Sequence, residues 1–199
     1  MAVSAADVKA LREKTGAGFM DCKAALEEAG GDAEAAVAVL RKKGVAVASK
    51  RAGRATAEGV VASYIHAGGR IGVLVEVDCE TDFVARTPDF QEFAKSVAMQ
   101  VAAERPVWVS PDDVPAEALE REREILRDQA LREGKPERIV EKMVEGRLNK
   151  FYEEQCLLKQ PYIRDEDRKI EDLLTELIGK VGENIVVRRF ARFAVGEEA

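Results

Sequence analysis

The chain has 199 residues, 46% hydrophobic and 34% charged, with a formal net charge of -6. That balance excludes disorder over most of the length, and the acidic sign excludes nonspecific nucleic-acid binding as the main task, because phosphate neutralisation needs a basic surface. Cys22, Cys79 and Cys156 are far apart with no CxxC pair, which excludes a disulfide framework or zinc ribbon and points to reduced thiols in the cytoplasm; no window approaches the roughly 20 apolar residues of a membrane span.

Residues 1–44 read as three short helices in one bundle. Ser4 and Asp7 form an S-x-x-D cap for the first, with Val8 and Leu11 on one face. Thr15-Gly16-Ala17-Gly18 breaks it, a second helix carries Phe19, Met20 and Leu26, and Gly30-Gly31 stops that one. Asp32 caps the third, whose apolar positions Ala36, Val37 and Leu40 recur at helical spacing, and Gly44 stands where a helix-ending glycine belongs. Residues 45–57, rich in alanine and carrying Lys50, Arg51 and Arg54, read as a linker.

The remainder, 58–199, reads as an α+β core. Two β-rich runs flank Ala67-Gly68-Gly69 as a hairpin over 59–78. In its second strand Ile71, Val73, Val75 and Val77 share a face, with Gly72, Leu74, Glu76 and Asp78 on the other. Phe90, Phe93, Ala94, Val97, Ala98 and Val101 mark a helix over 88–104 that covers the sheet. Two charged helices follow as a hairpin over 115–158, then a helix over 167–181, and a β-branched run over 185–194 completes a small antiparallel three-stranded sheet.

Little in this chain has the look of an active site. There is no phosphate-binding GxxxxGK[ST] loop, and Gly16-Ala17-Gly18 follows no strand, so no nucleotide is bound by the chain alone. A thiol hydrolase would need Cys79 to meet the single histidine, His66, and a buried, inert cysteine at a strand end is the plainer reading. Asp78, Glu80 and Asp82 alternate at the strand end, open either to a hard cation or to solvent. Phe83 is the odd residue, because turn chemistry calls for Gly, Pro, Asn, Asp or Ser. On composition its ring folds back onto the helix beginning near Thr87; the other reading keeps it free for recognition.

Three separated segments, Leu11–Lys23, Val77–Arg86 and Gly182–Phe190, resemble the bacterial elongation factor Ts family. The resemblance implies a ubiquitin-associated-like N-terminal bundle and guanine-nucleotide exchange on a partner, elongation factor Tu. On that reading Thr81, Asp82, Phe83 and Val84 enter the partner near its magnesium ion, with Phe83 as a wedge between helices. Arg12, Phe19, Met20 and Lys23 would dock the bundle on the partner's nucleotide-binding domain; Phe19 stands where the family often has Met. The chain resembles the short form with one core copy, which implies a homodimer, with no covalent chemistry, cofactor, metal, nucleic acid or membrane. The competing reading is a plain binding module, whose three-helix unit takes a ubiquitin-like partner and whose Lys50–Arg54 stretch touches RNA.

Overall fold

The computed structural model describes residues 3–197, so residues 1, 2, 198 and 199, which fall within the limits 1–44 and 58–199, lie outside the described residues. Helix α1, Ala5–Thr15, opens with a reciprocal cap: the Asp7 amide donates to Ser4 Oγ at 3.2 Å and the Ser4 amide to Asp7 Oδ2 at 3.1 Å. It closes on Gly16 at φ 66°, and α2 runs over Phe19–Glu28. Asp32 caps α3, Ala33–Arg51, by accepting from the Ala35 amide at 2.8 Å. Val8, Leu11, Cys22, Ala25, Leu26 and Ala36 form the bundle's core.

The third helix does not stop at Gly44, and residues 45–51, read from sequence as linker, are its last two turns. The reason lies in a helix far along the chain, α8, Ile170–Val181. A Cβ on Gly179 would stand 2.9 Å from Gly44 Cα, and one on Gly44 would stand 3.6 Å from the Thr175 carbonyl oxygen. Gly44 is thus a point of close backbone approach inside a helix. Arg41 donates to Asp172 at 2.5 Å beside the same crossing.

Strands β1, Glu58–Ile65, and β2, Ile71–Cys79, are joined by a glycine turn in which the His66 amide donates to the Ile71 carbonyl at 2.9 Å. With β5, Ile185–Ala194, they make an antiparallel sheet in the order β1-β2-β5. Side-chain alternation divides the sheet's faces: Val73, Val75 and Val77 are buried, whereas Val61, Ile65, Leu74 and Phe193 are exposed. After β2 comes a single turn, α4, Asp82–Ala85, then α5, Pro88–Glu104, whose Phe90, Ala94, Val97, Ala98 and Val101 are fully buried.

Helices α6, Ala116–Arg132, and α7, Glu137–Gln155, pair through Leu126, Ala130, Val140, Val144 and Leu148. Arg147–Glu133 at 2.7 Å and Arg127–Glu141 are ion pairs between them. A second, two-stranded sheet follows, β3 at Pro161–Tyr162 and β4 at Asp165–Lys169. The helix read over 167–181 therefore begins only at Ile170. The small sheet is held by Gln100, a fully buried amide that donates to Pro161 O at 3.0 Å and accepts from the Ile163 amide at 3.0 Å. A buried amide so satisfied stabilises a pairing that five polar residues, Asp165 to Lys169, would not find alone.

The chain divides into two units, one of residues 3–60, 77–93 and 172–186, the other of 61–76, 94–171 and 187–197. The first gathers the bundle, α4 and most of α8; the second holds α6, α7 and the β3-β4 sheet. No helix among the described residues is long and apolar enough to cross a membrane.

Gly179→Ala is expected to lower stability by about 1–2 kcal/mol through overpacking at Gly44. Gly146→Ala, on the exposed side of α7 where an added Cβ meets nothing, should raise it by up to ~1 kcal/mol. Denaturant unfolding of the two variants checks both signs.

Candidate functional site

Helix α4 is one turn long, too short to persist without outside support. Each end has it. Thr81, in extended conformation, caps the start, its Oγ1 accepting from the Val84 amide at 3.4 Å. The Thr87 hydroxyl donates to Val84 O at 2.8 Å, and Gln91 Nε2 donates to Ala85 O at 2.6 Å. Val84 and Ala85 are buried, which turns the opposite side of the turn to solvent and leaves Phe83 78% exposed. The reading in which its ring folds back onto the next helix is therefore corrected: a braced helical turn carries the ring outward, with no unusual backbone angle required of it.

What braces the turn is a pair of exchanged carboxylates. Glu183, between α8 and β5, accepts from the Thr81 amide at 3.0 Å and from the Thr81 hydroxyl at 2.7 Å, one bond to each oxygen. Glu80 returns the gesture, accepting from the Asn184 amide at 2.7 Å. Arg54 sits 3.3 Å and Arg51 3.7 Å from the Glu80 oxygens, and the buried Asn184 side chain donates to Arg54 O at 2.8 Å. The Asn184 amide first, and the two guanidinium groups after it, hold the Glu80 carboxyl below the usual carboxylate range. Hydrogen bonds to ionised acceptors are stronger than neutral ones, so this lattice supports a helical turn too short to hold itself.

The strand-end carboxylates do not converge as a cation site, nor is the strand end solvated. Asp78 is buried, Glu80 is engaged with Asn184 and the arginines, and Asp82 pairs with Arg86 at 2.8 Å. Among the described residues no cluster of three metal-ligating side chains occurs. Cys79 is fully buried and its thiol donates to Thr81 O at 3.1 Å, while His66 Nδ1 lies 3.0 Å from the Tyr64 hydroxyl. Burial, then the charge of Glu183, pushes the Cys79 thiol up to about 11, the opposite of what a nucleophile needs.

On the bundle, Phe19 and Met20 open α2 and are exposed, Met20 by 70%. Lys23, also exposed, shares the outer face of α2 and lies 3.8 Å from Glu27. Arg12 is exposed near the end of α1. Bundle and turn are linked through α8: Lys180 pairs with Asp89, in the first turn of α5, at 2.6 Å, and its Nζ would lie 2.6 Å from a Cβ on Gly16.

A family model described as elongation factor TS matches residues 9–197, a span that includes most of the bundle, the braced turn and both clamping segments. The chain belongs to the elongation factor Ts family. It is 64% identical over 195 residues to elongation factor Ts of Moorella thermoacetica, covering 98% of this chain and 96% of that one. To elongation factor Ts of Solidesulfovibrio magneticus it is 61% identical over 198 residues, covering 100% of this chain and 99% of the relative. The chain is thus a member of a family of translation elongation factors.

Sequence reasoning singled out Thr81 to Val84 and read Glu80 only as part of a carboxylate row open to a cation or to solvent, but gave no role to Glu183, Asn184 or Arg86. For those three the only signal was their presence in two of the segments that resemble the elongation factor Ts family.

The Cys79 thiol yields a pH dependence. A group whose folded pKa is raised contributes stability that is fully present below the unfolded value, about 8.5, and is lost as pH rises through about 11. Between those limits the unaltered protein should lose stability more steeply than Cys79→Ala, as read by unfolding at successive pH values.

Proposed function

We propose that the protein is the guanine-nucleotide exchange factor of elongation factor Tu: it binds the GDP-bound GTPase, disturbs its magnesium and phosphate site with the Thr81–Val84 turn, and promotes GDP release so that GTP can bind. The observation that carries this reading is the 78% exposed Phe83 ring on a turn braced at both ends. Family membership supports it. Burying a phenylalanine side chain fully is worth about 1.5–3 kcal/mol, and the free protein leaves most of that unspent. A wedge that gains this energy only in a distorted partner favours the distortion, since a ligand shifts an equilibrium by its differential affinity.

Asp82 adds negative charge near the phosphates, which raises the energy of bound GDP. Its pairing with Arg86 is exposed and spaced i,i+4, a contact worth only about 0.3–0.5 kcal/mol, so it parts easily. Arg12, Phe19, Met20 and Lys23 supply the docking surface on the partner's nucleotide-binding domain. Coupling is reciprocal: each tenfold loss of GDP affinity, about 1.4 kcal/mol, appears as an equal loss of factor affinity caused by GDP. No covalent bond changes, so the reading assigns no catalytic residue, metal or cofactor.

Release of a fluorescent GDP analogue from elongation factor Tu, followed by stopped flow, tests this. Phe83→Ala should lower the maximal release rate by about 10- to 100-fold, the range set by the ring's burial energy. Asp82→Asn should lower it less. Unchanged release with Phe83→Ala would overturn the wedge.

A second copy of the chain would supply the second core that the short form lacks. Supporting this, the outward face of the sheet exposes Val61, Ile65, Leu74 and Phe193, an apolar set on one surface. Sedimentation should find a homodimer, and Phe193→Glu should shift it to monomer at micromolar concentration.

A further inference from the structure

We infer that Glu183 is a positioning residue for nucleotide exchange, acting through Thr81 to hold the Phe83 ring in the pose that enters the partner. The inference rests on the exchange reading above and adds a residue to it. Its basis is the geometry of one carboxylate. Glu183 Oε1 accepts from the Thr81 hydroxyl at 2.7 Å and Oε2 from the Thr81 amide at 3.0 Å, which fixes both the backbone and the side chain of the residue that caps α4. With its proton donated to Glu183, the Thr81 hydroxyl presents a lone pair to the Val84 amide, so the carboxylate selects the rotor that caps the turn.

Among the described residues Phe83 joins none of the ring pairs, and with the ring 78% exposed its direction follows from the backbone of α4. A loosened cap lets the turn sample other conformers, each of which must be reordered on insertion. That cost falls on the step in which the wedge enters, whereas docking through the bundle is untouched. Glu183→Gln puts an NH2, donor only, where one of the two carboxylate oxygens stood, so in this geometry either the Thr81 amide or its hydroxyl proton faces a donor in place of its acceptor.

The experiment compares Glu183→Gln with the unaltered protein in two ways. Amide hydrogen exchange of free protein, read by NMR, should show the Thr81 amide exchanging at least ~10-fold faster in the variant, as expected for a lost charge-assisted bond. Stopped-flow GDP release from elongation factor Tu should show a maximal rate about 10-fold lower, with the half-saturating concentration within about twofold. In a Phe83→Leu background, which blunts the wedge, Glu183→Gln should cost less than about threefold, because two changes acting through one ring are not additive. A merely structural role would lower the melting temperature and cost the same in either background.

A maximal rate equal to that of the unaltered protein would overturn the inference and leave the exchange reading standing. So would a rise in half-saturating concentration alone, or a full tenfold loss in the Phe83→Leu background. Unaltered protein that fails to accelerate release would overturn the exchange reading itself, and the role of Glu183 in exchange would fall with it.

Discussion

Two carboxylates exchanged between the end of β2 and the start of β5 are the constraint on which the rest of the site depends. Where strands leave a sheet, their last amides lose ladder partners, and an amide withdrawn from water without an acceptor is costly. Glu183 takes up the Thr81 amide and Glu80 takes up the Asn184 amide, so each segment closes the other. Partly buried carboxylates carry a desolvation cost of their own. Two or more donors offset it at each: the amide and hydroxyl of Thr81 at Glu183, and Asn184 with Arg51 and Arg54 at Glu80.

On the proposed exchange reading, that lattice makes an exposed aromatic useful. A ring on a floppy loop loses much of its burial energy to ordering, whereas a ring on a clamped turn delivers it. The buried half of α4, Val84 and Ala85, and the bonds from Thr87 and Gln91 complete the support. Stiffness here comes from hydrogen bonds at both ends of four residues, because one helical turn has almost none of its own.

One short stretch of α8 and its exit serves three purposes. Gly179 lets α3 approach, Lys180 reaches Gly16 and Asp89, and Glu183 grips Thr81. The bundle that carries Phe19 and Met20 therefore shares a unit with the turn that carries Phe83, although sequence order separates them by a strand pair. Residues 44 and 179 meet because neither has a side chain, a packing device that a conservative change at either position would remove.

The α+β class and the helical hairpin were legible from local pattern. Apolar residues at 3.6 spacing wrote α5 and alternation wrote β2, because local backbone geometry imposes those periods on any chain that must bury one face, while charge with proline and glycine punctuation marked the hairpin of α6 and α7. The same local logic misread Gly44 as a helix stop, since a glycine that ends a helix and one that admits a neighbour look identical until the neighbour is present. It misread Asp167 to Lys169 as the start of a helix, since those polar residues become a strand only through Pro161–Tyr162 and the buried Gln100. For Phe83 the residue chemistry favoured a folded-back ring, and only resemblance to a family argued otherwise. The exposure of Phe83 and the clamp of Glu183 on Thr81 were decided by tertiary structure, because both depend on what the fold packs against the turn, and the clamp joins residues far apart in the chain at 3.0 Å, a contact no spacing encodes.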